Sequence, residues 1–242
     1  VPLLWEARSN ELLGGTTSAP VLDRLHTLFH QTFERRLELL SSGRQAFLLA
    51  EASQQTRAVD DAAPSVFVAS QTTEIAWTPD EHDRDFLGNE FLLWLWYYLE
   101  TEGDSLPVQD NSSVEFMLAR TLALECPRGQ TGKETISSDG PTRLPEARRA
   151  IQAGKLPRKV GLTMVRHDQA YELTLAAETL AVSAARLPSP EGEEERARQE
   201  ERLDQVRALL ETLDLMYAAF VQRRLGSEWN KELARMKKWL QG

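Results

Sequence analysis

Ten cations fall between positions 120 and 166 of this 242-residue chain: Arg120, Arg128, Lys133, Arg143, Arg148, Arg149, Lys155, Arg158, Lys159 and Arg166. Only four carboxylates accompany them (Glu125, Glu134, Asp139 and Glu146), so the block carries 10 − 4 = +6 in a chain whose formal net charge is −9. Cations gathered on strands and a short helix can neutralise several phosphates at once, giving an affinity that falls steeply with salt. Few aromatics are interleaved with them, which argues against the stacking platform used for single strands. No zinc-finger spacing and no helix-turn-helix stands out, so the expected mode is backbone contact without base readout. Arg120, Arg128, Lys133, Arg143, Arg148, Arg149, Lys155, Arg158 and Lys159 are the expected phosphate-binding set. The competing explanation is a solvated face on which each cation is matched by a nearby acid.

Four other constellations invite chemistry and are outweighed by plainer explanations. Gly129-Gln-Thr-Gly-Lys-Glu-Thr135 hints at a nucleotide loop, but Pro127 stands where the first glycine belongs and Glu134 replaces the hydroxyl that would hold magnesium. Asp23, His26 and His30 share one helix face at metal-ligand spacing, yet Thr27 replaces the glutamate of a zinc-protease pattern. Asp80, Glu81, Asp83 and Asp85 could suggest a two-metal nuclease centre, which needs carboxylates converging from separate strands. Acids crowded into the first turn of a helix are accounted for by its dipole. Cys126 before Pro127 reads as a small structural residue, and no nucleophile elbow or dinucleotide fingerprint is present. No catalytic residue, metal or cofactor is therefore expected.

Net charge alone does not decide the partner, because its arrangement matters more than its sum. Positions 74 to 115 hold 11 acids against the single base Arg84, and the 191–204 stretch is acidic again. The tail from Gln222 to Lys238 returns to 6 − 2 = +4. The longest apolar run, Phe91 to Leu99, is far short of the roughly 20 residues that span a bilayer. A lone cysteine fits a reducing compartment, so a cytoplasmic protein with no membrane partner is expected. The first residue is valine, which suggests further sequence upstream.

The elements that must position these residues follow from periodicity. Two short strands are expected at Pro2–Ala7 and Glu11–Thr16, then a helix capped by Ser18, carrying Pro20 in its first turn and running to about Phe33. A strand-like segment near Arg36–Leu40 follows, and residues 51–78 read as connection. Thr78-Pro79-Asp80-Glu81 has the chemistry of a helix start, and that helix continues through the all-apolar 91–99 stretch to Gly103. Its Trp94, Trp96, Tyr97 and Tyr98 are expected in the core, with a subunit interface as the alternative. After a loop at 101–113 come a strand at Ser113–Cys126 and a helix at Leu144–Ala153 closed by Gly154. Strands at Lys159–Val165, Ala170–Ala176 and Thr179–Ala185 complete that part. Beyond Pro188 and Pro190, a stripe from Leu203 to Phe220 and a final helix with Trp229, Leu233, Met236 and Trp239 complete the chain. The fold class is α+β, with mixed or antiparallel sheets, packed helices and a long helical tail. Its segments are 1–42 (strand–strand–helix), 43–111 (helical, acidic), 112–188 (basic sheet with a short helix) and 189–242 (helical tail).

Several of these segments resemble the RdgC-like recombination-associated proteins. Phe86-Leu-Gly-Asn-Glu-Phe-Leu-Leu-Trp-Leu-Trp-Tyr-Tyr-Leu-Glu100 is similar to a hallmark of that family. Thr131–Thr135 with Asp139–Arg148, and Ile151–Lys155 with Lys159–Leu162 and Tyr171–Leu175, resemble two further blocks, while residues 1–40 are similar to the family's middle region. The resemblance implies a ring-forming homodimer that encircles double-stranded DNA without sequence preference and limits access of a RecA-type recombinase. It also implies a nucleoid-associated location. The family's N-terminal strand-rich region has no counterpart here. Two other classes remain open: a protein-interaction scaffold using the acidic 74–115 block and the long C-terminal helix, and a metal-dependent nuclease.

Overall fold

A computed structural model describes residues 1–69, 71, 73–77, 83–127, 133–141 and 145–242, with residues 120 and 137–141 described by their backbone alone. The chain opens with a two-stranded antiparallel hairpin, β1 (Leu3–Glu6) and β2 (Glu11–Gly14), followed by α1 (Ala19–Phe33). Ser18 takes the N-cap position and Pro20 lies in the first turn, although the serine hydroxyl makes no capping bond. Arg36–Leu40, expected as a strand, is irregular. It has no neighbouring strand, and an extended segment gains nothing from β-propensity without a ladder partner.

Two helices occupy the region before the apolar block: α2 (Ser42–Ala52), whose Ser41 hydroxyl accepts from the Arg44 amide, and the short α3 (Thr56–Asp60). α3 interrupts the expected connection at 51–78. α4 (Phe86–Thr101) is buried along 13 of its 16 residues, from Phe86 to Tyr98. Its expected start at Thr78 lies outside the described residues. An all-round apolar helix must be covered on every side, and α4 is covered by two layers.

One layer is an antiparallel sheet of β3 (Ser105–Pro107), β4 (Ser113–Glu125), β5 (Glu134–Pro141), β6 (Leu156–Arg166), β7 (Gln169–Ala176) and β8 (Val182–Arg186). β3 breaks the expected 101–113 loop. β4 is long enough to pair with β3 along its first residues and with β5 along Ala119–Leu124, while β6 takes its other edge. β6, β7 and β8 then follow as neighbours. Alternation turns Val114, Phe116, Leu118, Val160, Leu162, Met164, Tyr171, Leu173 and Leu175 inward. The register of β4 against β6 shifts between Leu118 and Leu122, and there Gly161 meets the Ala119 carbonyl. A Cβ on Gly161 would stand 1.9 Å from that oxygen, so only glycine allows this approach.

The other layer is helical. α6 (Glu195–Leu225) and α7 (Trp229–Gln241) pack on α4, and α5 (Pro145–Gln152) lies against α7 and β4. Phe91, Trp94, Tyr217 and Phe220 form one aromatic cluster with ring centroids 5.1 to 6.0 Å apart. The Tyr217 hydroxyl donates to the Ser42 carbonyl at 2.8 Å, and full burial pushes its pKa well up.

Two buried polar clusters tie the layers together. Glu90 on α4 accepts from Arg224 Nε on α6 at 2.5 Å and from the Ser65 amide at 2.6 Å. Arg224 also donates to the Ala63 carbonyl and lies 5.0 Å over the Trp229 ring, whose Nε1 reaches Ser65 Oγ. Asn89 donates to the Pro157 carbonyl at 2.7 Å and to Glu178 at 2.9 Å, joining α4 to the sheet. Beside it, Gly88 approaches the Ala177 carbonyl so closely that a Cβ would stand 1.8 Å from the oxygen.

The first forty residues pack differently. No residue of α1 is buried, and seven of the ten exposed large hydrophobics among the described residues lie here: Val1, Leu3, Trp5, Leu28, Phe33, Leu39 and Leu40. The hairpin meets α6 through an ion pair, Glu6 to Arg207 at 2.6 Å. No described helix is long and apolar enough to cross a membrane.

Candidate nucleic-acid interface

Among the described residues the cations of the basic block lie on β4, α5 and β6, with Lys133 just before β5 and Lys155 just before β6, and the surroundings of each decide what it can do. Lys159 points out of β6 in a row that crosses four strands, Thr135–Ala123–Lys159–Ala176. This outer side of the sheet also carries Glu115, Met117, Thr163, Val165, Glu172 and Thr174, all half-buried or exposed, opposite the inward core set. Lys133 lies two residues before Thr135 and is exposed. Arg149 is exposed on α5, on the helical side of the sheet. Among the described residues none of these three has a carboxylate partner.

Three other members are engaged. Arg148 pairs with Glu100 and lies 5.1 Å over Trp239, while Glu100 also accepts from Trp96 Nε1 and Trp239 Nε1. Lys155 pairs with Glu134 at 3.0 Å and its side chain is only 14% exposed. Arg158 stacks 4.3 Å from the centre of the Trp77 ring and donates from Nη1 to Glu125 at 3.0 Å. Its Nε stands 2.6 Å from Glu178, but the N–H is not aimed along that line. Arg158 therefore closes the Asn89–Glu178–Trp77 cluster and is a structural cation. Arg166, at the other end of β6, is buried between Asp110 and Glu211. The Ser112 hydroxyl and amide, together with Arg166, hold the Asp110 carboxyl down at about 2.

Arg120 lies on β4 opposite Ser138, and Arg128 and Arg143 lie outside the described residues. The described members thus split into an unpaired group and an ion-paired group, and the unpaired ones do not share one face. Among the members whose side chains are described, the cations without a carboxylate partner are Lys159 on the sheet, Lys133 just before β5, and Arg149 on the opposite side; Arg120, Arg128 and Arg143 lie outside that comparison. Partners such as Glu178 for Arg158 come from distant elements, and no spacing in the sequence announces them.

The remaining constellations resolve similarly. Among the described residues no group of histidine, cysteine and carboxylate side chains is placed to hold a metal ion. Asp80 and Glu81 lie outside the described residues, while the Asp85 carboxylate accepts from the Gly43 amide at 2.8 Å and so caps the start of α2. Most of the suspected nucleotide loop, residues 128–132, is likewise outside them. Cys126 is half-buried. The aromatic cluster of α4 is core, with Trp94 fully buried.

One arrangement has no precedent in the sequence patterns. Glu34 ends α1 in a left-handed conformation, φ 53°, and its amide donates to the His30 carbonyl. The turn brings Arg36 and Leu37 back against the helix, where they line an open groove with His26, Thr27, His30 and Gln31. Helical spacing shows the two histidines, but only the turn shows that an arginine joins them.

No protein-family model, curated protein or solved structure matches this chain.

Proposed function

We propose that this chain is a non-catalytic protein that binds the backbone of double-stranded DNA without sequence preference, acting as a homodimer associated with the nucleoid. The observation that carries this reading is a set of exposed lysine and arginine side chains, Lys133, Arg149 and Lys159, that have no described carboxylate to neutralise them. In a chain of net charge −9 such side chains are the natural points of contact for a polyanion. The resemblance of the 86–100, 139–148 and 151–175 segments to RdgC-like proteins supports the same reading and supplies its consequence. A protein seated on duplex DNA in this way limits the access of a RecA-type recombinase.

The test is a duplex titration against salt, with particle mass measured in parallel. Each phosphate contact contributes about 0.9 to the slope of log affinity against log salt. K133E/R149E/K159E should therefore flatten the slope by about 2 per bound protomer, the share of Lys133 and Lys159, since Arg149 lies on the other side of the sheet, and weaken all duplex sequences equally. Arg158→Ala serves as the contrast: it should lower stability while leaving the slope in place. An unchanged slope in the triple variant removes the assignment.

A second reading is favoured by a separate observation. The exposed apolar residues gathered in positions 1–40 suit a protein-interaction module, in which the hairpin and α1 make the contact. Absence of duplex retention at low salt, with an intact fold, decides for it.

A further inference from the structure

The groove on α1 has a chemistry different from the one its histidines first suggest. A metal site at His26 and His30 would need a third ligand with a lone pair, usually a carboxylate. The chain supplies Arg36 instead, a cation with five N–H donors and no acceptor. Among the described residues no carboxylate lines the groove. Of the nearby acids, Glu38 is drawn away to Arg44 at 3.1 Å, and Asp23 and Glu34 lie outside the lining. The Arg36 guanidinium, lining the same groove as the two imidazoles and the Gln31 amide, is the feature that disfavours a metal cation there and suits an oxyanion, for which arginine offers a planar fork.

The apolar surroundings add a second recognition element. Phe33 lies three residues beyond His30 and seven beyond His26, on the same side of the helix. Phe33 is 55% exposed, and its ring is braced by Phe29, with centroids 4.7 Å apart. An exposed, braced ring beside an oxyanion site is the pairing by which proteins hold a phosphate and stack the adjoining base.

We propose that this groove binds a backbone phosphate of a nucleic-acid strand, with Arg36, His26 and His30 as donors and Phe33 as the surface for the neighbouring base. The inference rests on the reading of the chain as a nucleic-acid-binding protein, and it adds a site remote in sequence from Lys133, Arg149 and Lys159. Exposed single-strand segments, whose bases are free to stack, are its ligand.

The experiment follows the imidazole resonances of the full chain by NMR during titration with a dT12 strand, with inorganic phosphate and with zinc, alongside dT12 binding by anisotropy. The expected result is a shift of His26 and His30 with dT12 at concentrations well below those needed with phosphate. H30A/R36A should weaken dT12 about tenfold or more, through two lost charge-assisted contacts. Phe33→Leu, which keeps the apolar bulk and removes the stack, should cost a further fivefold or more. All four positions are exposed or half-buried, so these variants keep the fold. Equal response to phosphate and dT12, with no effect of Phe33→Leu, would mean a free-phosphate site and overturn the strand assignment. Zinc binding ahead of either anion, or silent imidazoles, would overturn the site itself. K133E/R149E/K159E separates the two assignments. If that variant loses its salt slope while the imidazoles stay silent, only the groove is refuted; if neither responds, the nucleic-acid reading falls with it.

Discussion

Removing the Glu90 carboxylate should destabilise the protein more than removal of any surface charge, and the structure gives the size of the effect. Glu90→Leu leaves Arg224 buried with the Ala63 carbonyl as its one remaining hydrogen-bond partner among the described residues, and leaves the Ser65 amide without the Glu90 acceptor. Breaking a buried ion pair from one side costs about 3–5 kcal/mol, and an orphaned buried amide adds about 1–3 kcal/mol. The sum, about 4–8 kcal/mol, approaches the whole stability of an ordinary domain, about 5–15 kcal/mol. At about 2–4 °C per kcal/mol for a chain of this size, the midpoint should fall by about 8–32 °C. The double variant E90L/R224M removes both charges together and should recover at least half of the loss, because two apolar side chains no longer have to be desolvated as ions. Arg224→Met alone should lie between the extremes. Urea and thermal denaturation of the four proteins complete the cycle. If E90L loses less than about 1 kcal/mol, or the double variant is no better than the worse single one, the pair is not the buried joint described here.

The remaining predictions concern packing and pH. Gly88→Ala should destabilise by about 2 kcal/mol or more, since its Cβ would meet the rigid Ala177 backbone at 1.8 Å, and urea midpoints with an unchanged m-value would show it. The carboxyl of Asp214 is pushed up to about 6 by partial desolvation and by the charges of Glu11 and Glu211, although the residue as a whole is exposed. A carboxyl with a raised folded-state pKa favours the fold when protonated. Stability should therefore decline as pH rises from about 4 to 6 through this group, and Asp214→Asn should remove that decline. With solvent screening of this exposed residue the gain at neutral pH should be about 1 kcal/mol, read from urea titrations at pH 4, 6 and 7.5.

Much of the architecture follows from local pattern. The all-apolar 91–99 stretch demands burial on every side, and it is the helix shared by both layers. Alternation in 113–125, 159–165 and 170–176 marks strands whose partners the short turns then fix. Gly154, with φ 92°, closes α5 as the expected stop. Elements that depend on a partner were hidden. β5, Glu-Thr-Ile-Ser-Ser-Asp-Gly-Pro, carries a single large apolar side chain and is extended because β4 has a free edge beside it. Arg36–Leu40 has stronger strand character and no such edge, so it stays irregular. The site was less legible than the fold. Charge blocks show how many cations are present, but pairing is set by tertiary neighbours: Arg158 meets Glu125 and Glu178 from two other segments, and Arg36 comes to line one groove with His26 and His30 only through the turn at Glu34.

The placement of α4 between sheet and helices has a consequence for how the molecule can come apart. Each layer uses the same buried helix as its floor, so neither keeps a closed interior once the other leaves. A chain cut after β8 would bare the side of Trp94 and Phe91 that now rests on Phe220, and would strand the Glu90 carboxylate with no cation to answer it. From α2 to α7, then, the protein should melt as one cooperative unit, despite a sequence that reads as separate acidic, basic and helical parts.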